Sequence, residues 1–266
     1  MMRSFQELFD LHGRVALITG GAGRVGRVIS EVLSEQGAAV AILDREGAST
    51  VAAELAARYG NRTLAIDLDL ADEQAMRAVP QLIVSAFGRL DVLVNNAAFV
   101  GSSDLSGWVV PFAEQTVATW RLAMEINLTA PFTLSQLAAP LLAGNGCGSI
   151  INVASIYGTH GPDWRLYDGT AMGNPAAYAA SKGGLIQLSR WLATTLAPHV
   201  RVNSISPGGV ARGQPQEFIA RYEARTPLGR MACEEDLKGI VALLASDASA
   251  YITGQDILVD GGWSAW

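Results

Sequence analysis

The sequence predicts an α/β fold, a single doubly wound parallel sheet covered by helices on both faces. Three observations predict it. Strand and helix signals alternate along the whole chain. The strand segments are continuous apolar runs, as strands buried on both faces require. No Pro/Ser linker or shift of composition divides the 266 residues. The chain is therefore read as one domain, 1–266. Residues Arg14–Thr19 form a short apolar run that ends in glycines, the first strand. Helical periodicity follows over Val25–Gln36 and is closed by Gly37. Ala39–Leu43 is the second strand, and the Ala-rich stretch Glu46–Tyr59 a helix. Thr63–Ile66 reads as a strand, Asp72–Phe87 as a helix and Leu90–Val94 as a strand. A long helix is expected over about Thr116–Leu142. Then come a strand at Ser149–Val153, a helix at Pro175–Leu196, a strand at Val200–Ile205, a helix at Asp236–Ala245 and a last strand at Asp256–Val259.

Composition excludes several classes. Half of the residues are hydrophobic and 17% are charged, enough for a sizeable core and against disorder. Mean hydropathy is +0.24, yet no apolar run approaches the roughly 20 residues of a membrane span. Residues Met1–Asp10 contain acids and no apolar h-region, so no signal peptide is expected and the chain is read as cytoplasmic. With 19 basic and 25 acidic residues the net charge is −6, and without a basic run nucleic-acid binding is not expected. Cys147 and Cys233 form no CxxC pair and are read as small buried apolar residues in a reducing compartment. His12, His160 and His199 lack metal-ligand spacing, so neither a zinc enzyme nor a Ser-His-Asp hydrolase is expected.

The segment Thr19–Gly26 (TGGAGRVG) follows the first strand and opens a helix. Gly20, Gly23 and Gly26 meet the needs of a dinucleotide turn: a tight bend, close approach of backbone to a pyrophosphate, and close helix–strand packing. Free N–H groups at Arg24, Val25 and Gly26 then face the phosphates. There is no GxxxxGK[ST] loop. Asp44 ends the second strand, where a carboxylate accepts the ribose hydroxyls of NAD and repels a 2′-phosphate. Arg24 and Arg45 would favour that phosphate instead. NAD is the expected cofactor, with NADP second.

These segments, with others, resemble the short-chain dehydrogenase/reductase family in its single-domain branch. The others are Asp69–Leu70, Asn95–Ala98, Asn127, Asn152–Ser155, Tyr178–Lys182 (YAASK), Pro207–Val210 and the closing stretch Tyr251–Gly262; the match covers about residues 12–263. The resemblance implies a Rossmann-type fold, an NAD(P)-dependent oxidoreductase and a homotetramer or homodimer. It also implies cofactor contacts at Asp69, Leu70, Asn96, Ala97, Tyr178, Lys182, Pro207, Gly208 and Val210, with Lys182 on the nicotinamide ribose. Two positions depart from the family pattern. Arg24 stands where the branch usually has Gly. Arg212 replaces the Thr that commonly touches the nicotinamide amide.

The residues themselves suggest the chemistry. Tyr178 and Lys182 are four apart on one helix face, so an ammonium beside the phenol is expected to lower the Tyr pKa from its usual value near ~10, suiting a general base. Ser155, at a strand end, is placed to hydrogen-bond the substrate oxygen. Pro131 lies four residues after Asn127 and has no N–H, so the Asn127 carbonyl loses its helical partner and is free to hold a water. The resemblance implies a proton path through that water to Lys182. Tyr157 and Tyr167 read as packing or substrate-contact residues, Ser181 as a helix-surface or interface residue, and Met124 and Met172 as filler. The tail tryptophans Trp263 and Trp266 are expected to seek burial, often against another subunit.

Between Ser155 and Tyr178 lie 22 residues, Ile156 to Ala177, rich in charges and aromatics. This loop is expected to fold over the substrate on hinges at Gly158, Gly161, Gly169 and Gly173, with Arg165 binding an anionic or hydroxyl-rich portion. It resembles the oxidoreductases associated with flagellin glycosylation and gluconate-type sugar-acid dehydrogenases. A secondary alcohol or ketone, a sugar or polyol derivative, is the substrate class those resemblances imply. Two rivals stay open: a sugar-nucleotide epimerase or dehydratase with tightly bound NAD, and a non-catalytic NAD(H)-sensing module.

Overall fold

The computed structural model describes residues 2–100 and 103–266. Among these residues seven strands, all paired in parallel, form one sheet: β1 Val15–Thr19, β2 Ala39–Asp44, β3 Thr63–Asp67, β4 Val92–Asn95, β5 Gly148–Val153, β6 Val200–Pro207 and β7 Asp256–Val259, in the order β3-β2-β1-β4-β5-β6-β7. The winding reverses between β1 and β4. A crevice for ligands therefore opens at the carboxyl ends of these strands. The helices are α1 Phe5–Phe9, α2 Arg24–Glu35, α3 Ala48–Tyr59, α4 Glu73–Met76, α5 Val79–Phe87, α6 Val117–Met124, α7 Ala130–Gly144, α8 Ala176–Leu196, α9 Gln216–Arg225 and α10 Lys238–Ala245. Among the described residues no helix is long and apolar enough to cross a membrane.

Every residue of β1, β4 and β5 is buried, which explains their unbroken apolar or small-residue composition. One face packs Ile29 and Leu33 of α2, Val51 of α3 and Val241 of α10 onto Ile18, Val40 and Ile42. The other packs Ile83 of α5, Leu134 of α7 and Leu192 of α8 onto Leu17, Leu43, Leu93 and Ile150. Each such side chain contributes about 1.5–3 kcal/mol by leaving water. These two layers fix the strand ends that carry the site.

Two expected helices are interrupted. Asp72–Phe87 is split into α4 and α5, because Pro80 has no N–H to offer the Met76 carbonyl. The stretch 116–142 is α6, a π-helical turn at Glu125–Thr129, then α7, whose second residue is Pro131. In the wide turn Ala130 N–H reaches back five residues to the Glu125 carbonyl, just ahead of Pro131. Helices α1 and α9 were not anticipated. In α9, Pro215 as the cap residue and the i, i+4 pair Phe218 and Tyr222 were the available signals.

The tail behaves differently from expectation. Trp263 is 1% exposed within its own chain, sandwiched between Tyr222 (centroids 6.1 Å apart) and the Arg225 guanidinium (4.6 Å from the ring), so it needs no second subunit. Trp266 is exposed, its indole N–H donating to the Arg225 carbonyl. Cys233 is also exposed and Cys147 half-buried, not core residues. Cys233 sits ahead of the turn Glu234–Leu237, its N–H held by Asp236 at 2.8 Å, so it serves a turn rather than packing.

Candidate active site

The glycine turn bends as the spacing requires. Gly20 has φ +62°, and a Cβ on Gly26 would lie 1.9 Å from the Gly20 carbonyl oxygen, so both positions demand glycine. The turn is braced from β4. Asn96 Nδ2 donates to the carbonyls of Thr19 and Gly20, each at 3.0 Å, and Thr19 Oγ1 accepts the N–H groups of Asn96 and Ala97. Thr19 was missed as a site residue, although it ends the first strand inside the quoted motif. Gly23 caps α2 without a side-chain bond, leaving the first N–H groups of the helix, those of Arg24, Val25 and Gly26, without helical partners. A pyrophosphate fits this cradle.

Across the turn, Asp44 accepts Ala22 N–H at 3.0 Å and Arg45 N–H at 2.8 Å, which orients its carboxylate at the end of β2. Arg24 in the turn and Arg45, next in the chain after Asp44, are exposed. Asp69 is exposed and accepts Ala71 N–H, whereas Leu70 is buried in the core. On the far side of the crevice Pro207 ends β6. Gly208 donates to the Val259 carbonyl, Gly209 donates to Tyr222 Oη at 2.5 Å, and Val210 bridges to Ala232. A Cβ on Gly208 would sit 2.7 Å from that same hydroxyl, so Tyr222 shapes this wall. Tyr222 was also missed, since nothing local marks it.

Ser155 follows β5 by two residues and is 6% exposed. Tyr178 lies in the first turn of α8, and Lys182 one turn later on the same face, with its ammonium 5.9 Å from the Tyr178 ring centre. Lys182 is 2% exposed, donates to the Val153 carbonyl at 2.6 Å, and is lowered to about 7 by burial. The expected depression of Tyr178 by this lysine is not what the geometry gives. Burial raises the phenol above its ordinary value, and the pull back comes from the Ser155 hydroxyl and then from the charge of Arg212. A buried lysine that is half neutral near pH 7 is a weak electrostatic partner.

Asn127 is fully buried. Its side chain clamps Phe99 in both directions, accepting N–H at 2.8 Å and donating to C=O at 3.1 Å. It also donates to Ser181 Oγ at 3.1 Å, which donates to the Tyr178 carbonyl at 2.9 Å. Ser181 is therefore a fully buried link between the π-helical turn and the start of α8, not a surface residue. Its signal, a small polar residue between Tyr178 and Lys182, was visible but reads equally as surface.

The loop 156–177 carries two 3-10 turns, Ile156–Gly158 and Trp164–Leu166. Tyr157 and Tyr167 share a hydroxyl–hydroxyl bond of 2.5 Å. Burial pushes Tyr157 well above the usual phenol range and Tyr167 up to about 12, so neither is a base near neutral pH. Arg165 does not face the site. It is 84% exposed and forked onto Asp163 by two bonds of 2.8 Å, while Asp163 also holds Arg225 at 2.7 Å. Gly158 is no hinge, because a Cβ there would lie 2.8 Å from the Lys182 carbonyl carbon. A cleft of about 810 Å³ opens between this loop and residues 108–115, walled by Trp108, Phe112, Trp164, Met172 and Pro175 and reaching Ala179, next to Tyr178.

A family model described as enoyl-(acyl carrier protein) reductase matches residues 21–264. The cis-4-hydroxycyclohexanecarboxylate dehydrogenase of Sinomonas cyclohexanicum is 36% identical over 95% of this chain and 97% of its own. The chain belongs to the short-chain dehydrogenase/reductase family. Like other members of that family it is an NAD(P)-dependent oxidoreductase of small molecules. Solved structures agree. An NADPH-dependent 3-quinuclidinone reductase from Rhodotorula rubra superposes with a TM-score of 0.87 at 28% identity, covering 100% of this chain and 97% of the other. A short-chain dehydrogenase from Leptospira borgpetersenii with bound NAD+ gives 0.85 at 33% identity, covering 99% and 97%.

Proposed function

We propose that this short-chain dehydrogenase/reductase oxidises a ring-borne secondary alcohol to a ketone, or runs the reverse, with NAD as its cofactor. The observation that carries this reading is the meeting of Ser155, Tyr178 and Lys182 at the carboxyl end of β5, across the crevice from the glycine turn. Ser155 and Tyr178 hold the substrate hydroxyl between them. Tyr178 takes its proton as general base. Lys182, poised near neutrality, receives and releases protons at physiological pH, and Asn127 positions the helix turn whose carbonyl passes them to water. The nicotinamide, when bound, supplies the hydride acceptor. Gly20, Gly23, Arg24, Val25 and Gly26 hold its pyrophosphate, Asp44 the adenosine ribose, Asp69 and Leu70 the adenine side, and Asn96, Ala97, Pro207, Gly208 and Val210 the nicotinamide half. Residues 1–266 act as one unit, with 156–177 covering the substrate. The proposed class spans the sugars and polyols expected from the sequence and the carbocyclic alcohol in the name of the 36% identical relative.

A panel of cyclohexanols, 4-hydroxycyclohexanecarboxylate, gluconate and galactose, followed by reduced-nicotinamide absorbance with each cofactor, tests this. NAD is expected to be favoured at least about tenfold in kcat/KM, the weight of one charged contact, and Asp44→Ala to narrow the gap. A preference for NADP would overturn the assignment and give the 2′-phosphate to Arg24 or Arg45.

The reading extends to a homotetramer, or a homodimer, joined through the outer faces of α6, α7 and α8. There Trp120, Phe132 and Trp191 are 40%, 41% and 56% exposed, large apolar surface that calls for cover. Light scattering at micromolar concentration should give a multiple of the 28.0 kDa chain mass; a monomer would contradict it.

A further inference from the structure

We propose that Trp263 is a positioning residue for the alcohol oxidation: its indole holds the strand end that carries Ser155 against the strand end that carries Gly208 and Gly209, and so sets the width of the crevice that receives the alcohol. This rests on the alcohol-oxidation reading above and goes beyond it.

The placement follows from strand register. Val153 of β5 pairs with Ile205 of β6, and Pro207 of β6 pairs with Val259 of β7. Three neighbouring strands therefore end side by side, leading into Ser155, Gly208 and Asp260. The chain then doubles back. Gly261 and Gly262 have φ of +67° and +86°, a pair of left-handed residues that only glycine adopts readily. Asp260 locks the bend: its carboxylate accepts Gly262 N–H at 2.9 Å and Ser264 N–H at 3.0 Å, and its carbonyl accepts Trp263 N–H at 3.2 Å. These bonds return the Trp263 indole to the strand ends just left.

From the indole one aromatic neighbour leads to each wall. Tyr222 stacks on it with centroids 6.1 Å apart and planes 14° apart, and Tyr222 Oη accepts Gly209 N–H at 2.5 Å. Tyr157 meets it edge-on at 6.4 Å and 74°, and Tyr157 N–H donates to Ser155 Oγ at 3.2 Å. Both routes end in a hydrogen bond to a residue of the crevice. A third contact ties in the substrate loop, since the Arg225 guanidinium 4.6 Å from the ring also pairs with Asp163 at 2.7 Å. Among the described residues the buried Trp263 Nε1 has no hydrogen-bond partner. The residue therefore acts through the faces and edge of its ring. A small or mobile side chain here would leave Tyr157 and Tyr222 free to settle together, and the two walls with them.

The test compares wild type with Trp263→Ala, Trp263→Phe, Tyr222→Phe and, as a control on the exposed tail, Trp266→Ala, all assayed below the lowest Tm of the set. Measured are kcat and KM for the best alcohol of the panel above, the isotope effect with deuterium on its carbinol carbon, the Kd for NADH, and amide hydrogen exchange of the cofactor-free protein at Ser155–Gly158 and Gly208–Val210. Trp263→Ala should lower kcat by about 100-fold, the cost of a misplacement of about 1 Å. It should raise the isotope effect, leave the NADH Kd nearly unchanged and speed exchange in both segments. Trp263→Phe, which keeps an aromatic ring there, should recover most of the loss, and Trp266→Ala should match wild type. Tyr222→Phe cuts one route only: it should lower kcat and speed exchange at Gly208–Val210 but not at Ser155–Gly158. If Trp263→Ala does not fold, the two Phe variants decide, and wild-type kcat in both would overturn the proposal. So would a Trp263→Ala protein that melts earlier but keeps kcat and the isotope effect, or one whose whole loss lies in NADH Kd. Should wild type oxidise no alcohol of the panel, the reaction falls and exchange decides alone: faster exchange at both segments keeps Trp263 as the clamp, and faster exchange at the tail only overturns it.

Discussion

Tyr178→Phe is expected to lower turnover by about 10²–10⁴-fold, the range that general acid–base catalysis supplies, while the Kd for NAD stays nearly unchanged. The substitution removes one oxygen and keeps the ring packed against Trp108, Ala123 and Ala177. In the wild type, kcat/KM for alcohol oxidation should rise with pH, since the phenolate is the active form and burial holds the phenol above its ordinary value, with Ser155 and Arg212 drawing it back. Stopped-assay rates across pH for both proteins give the answer. A variant that keeps more than about a tenth of wild-type turnover would show that the proton is taken elsewhere.

Lys182→Met should abolish useful turnover and, at the same time, make the cofactor-free protein more stable at neutral pH. The lysine is lowered from 10.5 to about 7 by burial, so between those values the unfolded chain binds a proton that the folded chain does not. Stability therefore falls as pH drops from 10.5 toward 7, by about 1.4 kcal/mol per unit, and levels off below. Methionine keeps the apolar stem and carries no such penalty. The Val153 carbonyl loses its donor, which offsets about 1–3 kcal/mol of the gain. A net gain on the order of 2 kcal/mol corresponds to a Tm rise of roughly 4–8 °C for a chain of this size. The difference between the two proteins should shrink in melts taken at pH 9.5–10. A Met variant that melts below wild type at pH 7 would mean that Lys182 is held charged by a structural partner, and the proton-relay role would lose its physical basis. A residue that destabilises the fold in proportion to its readiness to release a proton is one kept for chemistry.

Much of the frame was legible in the residues. Continuous apolar runs such as Leu17–Ile18 and Leu93–Val94 read as strands buried on both faces because burial acts on each residue locally. The glycine turn was legible for a similar reason: Gly20 and Gly26 answer to backbone sterics within seven residues. The interruptions were half visible. Pro80 and Pro131 announced missing donors, but whether a helix breaks, as between α4 and α5, or widens into a π turn, as at Glu125–Thr129, depends on what packs alongside it. Here the Asn127 side chain, clamped to Phe99 and Ser181, holds the widened turn in place.

The sequence by itself determined the parallel α/β sheet, the position of the dinucleotide turn and the adjacency of Tyr178 and Lys182, because each depends on periodicity or spacing along the chain. Charge pairing was decided only by the tertiary structure. Asp163 lies two residues before Arg165 and 62 before Arg225 and takes both. Lys182 finds a carbonyl 29 residues away in place of an ion pair. Among the described residues the Arg212 side chain has no ion-pair partner. Which cations pair follows from how several distant segments meet, and Coulomb attraction at a few ångströms is settled only once those segments have packed.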